Sequence, residues 1–263
     1  MTGTATPAAA WPAPAPGAAP LRRMVAAQAG LEFRTLARNG EQLLLVLIIP
    51  VLLLAAFSHE PLVNFGPGKR IDFLAPGILA LAVLSTAFTS QAIATGFERR
   101  YGVLKRLGST PLRRSGLITA KTLTVLAVEL LQSAVIVVVG LALGWRPHAG
   151  GGAVAWALLL VLAGTAAFSG LALLMAGTLR AEATLAAANL LYLVMLGLGG
   201  VVFPLTRFRA AQPGLKLLPA GALSDGLRSV LQHGSGLPVR DLAVLTAWAI
   251  VSIAIAARTF RWE

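Results

Sequence analysis

The chain has 263 residues, 57% hydrophobic and 12% charged, with a mean hydropathy of +0.78. A water-soluble domain carries about twice that charged share, and a chain this short cannot hide so much apolar side chain in one core, so lipid must replace water around much of it. The net charge of +12 lies between long apolar runs, as in membrane loops, and the absence of cysteine excludes disulfides, thiolate metal sites and a Cys nucleophile. His59, His148 and His233 all fall outside the apolar runs, which removes His-Glu-x-x-His zinc chemistry and any histidine base within a span.

Residues 1–20 hold five prolines, eight alanines and no charge, a composition expected to form a disordered tail. It lacks the basic, apolar and cleavage segments of a signal peptide. Residues 21–42 turn basic and helix-forming. Leu21, Met24, Val25, Leu31 and Leu36 share one side of a helical wheel and Arg23, Arg34 and Arg38 the other, which predicts an interfacial helix. Glu32 breaks the pattern by falling on the apolar side, with Arg22 beside it.

Six apolar runs follow, predicting spans at about 43–58, 73–97, 116–144, 153–178, 183–205 and 241–258 within one transmembrane domain over 21–263. The first is short and contains Pro50, so it must borrow polar ends or tilt. The third carries Glu129 in its middle. With both termini cytoplasmic, inside segments hold fourteen Lys and Arg and outside segments eight, an imbalance set mainly between the second and third spans.

That connection, residues 97–114, is too long for a simple turn. Tyr101, Val103, Leu104 and Leu107 fall on one side at helical spacing and Glu98, Arg99, Lys105 and Arg106 on the other, with Gly108 to Pro111 as a stop. The periodicity predicts an amphipathic surface helix. A basic loop held to lipid headgroups and a docking surface for a partner both fit it.

The stretch Glu98-Arg99-Arg100-Tyr101-Gly102-Val103-Leu104-Lys105-Arg106-Leu107, followed by Ser109-Thr110-Pro111, resembles type-2 ABC transporter permeases, in particular the drug-export branch of actinobacteria. The resemblance implies a coupling helix seated in a groove of a nucleotide-binding subunit. Its contact residues would be Glu98, Arg99, Tyr101, Gly102, Leu104, Lys105, Arg106, Leu107, Thr110 and Pro111. Leu218-Pro219 and Asp225-Gly226-Leu227-Arg228 are similar to the family's external re-entrant helices. There Leu223, Leu227, Val230 and Leu231 form an apolar stripe, with Asp225, Arg228 and Gln232 opposite. The interfacial helix fits the family's elbow helix.

The resemblance thus implies an all-α polytopic protein with six transmembrane helices, an N-terminal interfacial helix, a cytoplasmic coupling helix and an external re-entrant or amphipathic helix. It implies a bacterial plasma-membrane permease subunit, paired with a second permease, that exports a hydrophobic or amphipathic substrate. Gly66-Pro67-Gly68-Lys69 lacks the P-loop frame and reads as a turn. ATP and Mg are therefore expected on separate ABC ATPase subunits, with no cofactor, metal, catalytic residue or nucleic-acid partner in this chain.

Glu129, with Gln132 and Ser133 at helical spacing, belongs to the translocation path or an interface, or makes an interhelical hydrogen bond. Asn189 and Tyr192 form a weaker polar pair in the fifth span, and Gly140-x-x-x-Gly144 permits close approach of another helix. The competing functional reading is a secondary transporter with Glu129 as its proton-coupling site. It finds no repeat symmetry among the six spans.

Overall fold

The computed structural model describes residues 17–59, 69–148 and 150–259. Most of the Pro/Ala tail and all of the Gly66 to Lys69 turn except Lys69 lie outside the described residues. Among the described residues the chain is helical and contains no strand. Five helical segments are long and apolar enough to cross a membrane, and a sixth apolar helix is shorter, which makes this a multi-pass membrane protein of about six helices.

Helix α1 (Leu21–Arg38) precedes α2 (Gly40–His59), the shorter apolar helix, which takes in polar residues at both ends of its apolar run. The second crossing, Arg70–Arg100, has three parts: α3 (Arg70–Val83), a π-helical stretch Leu84–Ser90, and α4 (Gln91–Arg100). It is the central helix of the molecule. Its α3 part buries Leu74, Ile78, Leu81 and Ala82 on successive faces, as a helix must when neighbours surround it.

The chain then turns through Tyr101-Gly102 into α5 (Val103–Gly108), followed by α6 (Arg114–Ala142) and α7 (Ala153–Thr178). Helix α8 (Ala181–Leu198) stops well short of the predicted 205, because the chain leaves the helix at Gly199-Gly200 and Gly200 takes a φ of +72°. A 3₁₀ segment (Leu205–Ala211) and the one-turn α9 (Gln212–Leu215) lead to α10 (Pro219–Leu231) and the last crossing, α11 (Val239–Thr259). Pro219 opens α10 at the position where a missing N–H costs nothing.

Two prolines lie inside crossings, and the one in α2 has a visible compensation. Pro50 has no N–H to donate to the Val46 carbonyl one turn back. The Gln132 side-chain amide of α6 donates to that carbonyl at 2.7 Å, while its oxygen accepts from Thr86 in the π-helical stretch at 3.1 Å. A single glutamine therefore ties α2, the central helix and α6 together.

Helices α7 and α11 pack closely. A Cβ on Gly170 would stand 2.1 Å from Ser252 Oγ, so only glycine permits that approach. Gly140 serves this chain's own packing, since a Cβ there would meet the Trp145 indole at 2.9 Å, and Gly144 ends α6 with a φ of +88°.

Candidate functional site

The predicted continuous helix over 98–107 is two helices. Helix α4 carries the central crossing to Arg100, and Gly102 at φ +71° breaks the run before α5 begins. Periodicity cannot register that break, because the residues on either side keep helical spacing.

The break also changes which side chains face outward. Leu104 is completely buried against Val25 of α1, Leu117 and Ala120 of α6, Leu173 of α7 and Ala256 of α11, with Leu107 packed alongside. It anchors α5 from beneath and offers nothing to a partner. Tyr101 is 70% exposed and Val103 41%, and Lys105, Arg106, Thr110 and Pro111 are exposed. The outward surface of this turn is therefore one aromatic, one valine, two cations and the Thr-Pro corner. Tyr101 stacks on Phe97 with ring centroids 6.1 Å apart. Arg99 donates to the Leu179 carbonyl at the end of α7, and Arg100 pairs with Glu182 at the start of α8, fastening the turn to the next helical hairpin.

Behind α5 lies an ionic junction. Lys121, only 4% exposed, places its ammonium 2.6 Å from the Glu98 carboxylate and 3.3 Å from that of Glu32. Lys121 is not a loop cation, since α6 begins seven residues earlier at Arg114 and carries it inward. The junction gives Glu32 its reason for lying on the apolar side of α1, and Gln28 donates to the same carboxylate at 2.9 Å. Thr124 Oγ1 reaches the Ala29 carbonyl at 3.2 Å, adding a second tie between α1 and α6. Buried ions persist only when paired, so three helices are obliged to meet here.

A cavity of about 430 Å³ opens beside the junction, between α1, the π-helical stretch, α4, α5 and α6. Glu32, Glu98 and Lys121 line it together with Gln91 and Thr95 of α4 and Thr124 of α6. Gln91 is 6% exposed and Thr95 fully buried, yet neither amide atom of Gln91 nor the hydroxyl of Thr95 has a hydrogen-bond partner among the described residues. In sequence the second span is only an uncharged apolar run, so sequence reasoning missed this pair.

Mid-span, Glu129 is fully buried and accepts a hydrogen bond from Thr165 of α7. Gln132 is engaged as described above, and the half-buried Ser133 makes no hydrogen bond to either among the described residues. Asn189 is exposed on α8 and Tyr192 half-buried, so the two do not form an interior pair.

At the far end of the bundle α10 is wrapped on all sides. Leu223 and Leu227 are fully buried as their stripe predicts. Arg228 departs from its predicted polar face. Only 6% exposed, it donates to the Val201 carbonyl at 2.9 Å and the Phe73 carbonyl at 3.3 Å, with its guanidinium 3.8 Å from the Phe73 ring centroid. Burial pulls its pKa down to about 9, opposed by the nearby Asp225 charge, which leaves it cationic at neutral pH. Asp225 stays on the outer side and pairs with Lys216 at 2.7 Å. Gly77 makes the clamp possible, because a Cβ there would stand 2.5 Å from the Val201 carbonyl oxygen and 2.6 Å from the guanidinium.

A basic turn fastened beneath a central crossing and a buried helix at the opposite end frame a permease, and a family model settles it: the ABC-2 type transporter model matches residues 28–231. The chain belongs to the ABC-2 type transporter family. No curated protein matches it significantly. The match runs from within α1 to the end of α10, so it takes in the junction, α5 and the Arg228 clamp alike. ABC-2 chains are the membrane component of ABC transporters, and such permeases work with ABC ATPase subunits.

Proposed function

We propose that this ABC-2 permease exports a hydrophobic or amphipathic compound, of the drug-like or lipid-like kind, across a bacterial plasma membrane. Two permeases assemble with two separate ABC ATPases, which bind ATP and Mg, and both termini and the α5 turn face the cytoplasm. The observation that carries this reading is the build of the α5 turn. Leu104 anchors it in the core while Tyr101, Val103, Lys105 and Arg106 are displayed outward. Such a surface suits transmission of movement from a docked ATPase into the central helix, because the fastened base leaves little slack. A second permease has its natural seat along α8, where Asn189 sits among exposed leucines at Leu190 and Leu193 and is expensive to leave facing lipid.

The test is copurification of the partner ATPase with the permease and stimulation of its ATP hydrolysis. Tyr101→Ala combined with Arg106→Glu should release the ATPase while the permease still folds, because both side chains are exposed. Retained copurification and stimulation would show that the turn rests on lipid headgroups, and the reading would fall.

A further inference from the structure

The cavity behind α5 has features that packing alone does not require. A polar atom buried without a partner is destabilising, and here three such atoms, on Gln91 and Thr95, border one space of about 430 Å³. The helix that carries them is π-helical just before Gln91, over Leu84–Ser90, and π-helical turns concentrate at functional sites. The size lies within the range of small-molecule sites. Thr35 and Leu31 of α1 and Val103 of α5 line it and are exposed, so its mouth opens at the end of the bundle where the ATPase is proposed to dock.

Charge decides what the space would hold. Among the described residues three ionisable groups line it, the carboxylates of Glu32 and Glu98 and the ammonium of Lys121. The ammonium is already held by both acids, so the wall carries a surplus of one negative charge. An anionic headgroup would meet that surplus with no free cation to receive it. Leu31, Leu107, Val125 and Val128 supply the apolar remainder of the lining.

We propose that this cavity is a binding site for a monocationic amphiphile, whose positive group lies against the Glu32–Lys121–Glu98 junction and Gln91 while its apolar body rests on the leucines and valines. The site deepens the export reading and rests on it. It gives an amphiphile arriving from the cytoplasmic side a place within one chain, next to the α5 turn.

The experiment uses the full-length permease in lipid nanodiscs, with rhodamine 123 as cationic probe and fluorescein as anionic probe, read by fluorescence polarisation. Glu32→Gln keeps an acceptor for Lys121 while removing the surplus charge. It should weaken rhodamine binding about tenfold, the effect of one nearby charge at intermediate dielectric. Gln91→Glu adds a charge to the wall and should tighten it by a similar factor, a gain that misfolding cannot produce. Because the chain has no cysteine, Thr35→Cys is a unique reporter at the mouth. Rhodamine 123 should protect it from a water-soluble maleimide and fluorescein should not. Unchanged affinity in both charge variants, or equal labelling with and without rhodamine, would overturn the proposal. Copurification of the ATPase in the same preparations reports on the permease reading by itself. Failure there with intact protection would end the export reading and leave the cavity, and the reverse would end the cavity alone.

Discussion

Each end of this bundle buries a cation, and the two ends solve the problem differently. Lys121 at the α1 end is held by two carboxylates from two other helices. Arg228 at the α10 end meets two backbone carbonyls and the face of an aromatic ring, and among the described residues no carboxylate pairs with it. The choice follows the chemistry of the side chains. A lysine is a compact point charge that needs countercharge, whereas the flat guanidinium spreads its charge over a fork of donors and stacks on rings. The consequence is mechanical. A clamp to carbonyls and a ring fixes α10, α3 and the Gly200 turn in one arrangement, while the ammonium ties α1, α4 and α6 together through countercharge alone. The end held by countercharge is also the end with the cavity described above.

The largest effect belongs to the apolar half of the α1 end. Leu104→Ala should cost about 2–5 kcal/mol, as buried leucine truncations do, and should weaken ATPase docking only through loosened α5. Permease that keeps wild-type stability yet loses the ATPase would return Leu104 to the partner-facing surface.

Second in size is Lys121, where the comparison itself breaks. Lys121→Met leaves two partly buried carboxylates without their cation and should lower stability by about 1–3 kcal/mol, less than the cost of breaking a fully buried pair because solvent reaches both acids. Thermal unfolding of purified protein measures it. Adding Glu98→Gln and Glu32→Gln should restore most of the loss, because the triple variant no longer buries charge. A triple variant as unstable as the single one would mean that the lysine stem, not the ion pairing, holds the junction.

These two residues also mark how far the sequence could be read. Six apolar runs announce the crossings, because lipid demands long uncharged stretches whatever their neighbours. The short first run was legible as a helix needing help, since Pro50 orphans a carbonyl, yet nothing in sequence could say that Gln132 lies 2.7 Å from it. Helical spacing put Leu104 on the apolar side of an amphipathic helix, which the resemblance made a docking contact, and put Arg228 on a polar face. For α5 the apolar side is taken up by the chain's own core and is not displayed, and α10 is packed from more than the one side a helical wheel assumes. Glu32 stood out only as a misfit on the apolar side of α1, and the fold supplies its reason, the Lys121 ammonium 3.3 Å away. The Gly102 break was written in the chain, but glycine within an amphipathic stretch is tolerated often enough to hide it.

At the opposite end, Arg228→Lys should cost about 2 kcal/mol, the sum of a lost charge-assisted hydrogen bond and the ring contact. The charge is retained, so any loss measures geometry. If lysine serves as well as arginine, the clamp is not a fork-and-ring device and the contrast between the two ends loses its basis. Unfolding of the purified variant reads this directly.

The smallest effect belongs to Glu129, midway between the two ends. It is fully buried and accepts a hydrogen bond from Thr165. Glutamine presents the same kind of oxygen to that hydroxyl, so Glu129→Gln should change stability by less than about 1 kcal/mol and leave transport intact. Lysine instead inserts an unpaired cation at mid-membrane and should cost at least about 3 kcal/mol, read as reduced membrane insertion. The glutamine variant carries the mechanistic weight. If transport depends on ATP hydrolysed elsewhere and transmitted through α5, a proton at position 129 has no step to perform, and the rate should not change with an imposed pH gradient in either protein. Abolished transport in a folded, ATPase-bound Glu129→Gln variant would make the carboxyl a coupling group and return the secondary-transport mechanism to the centre.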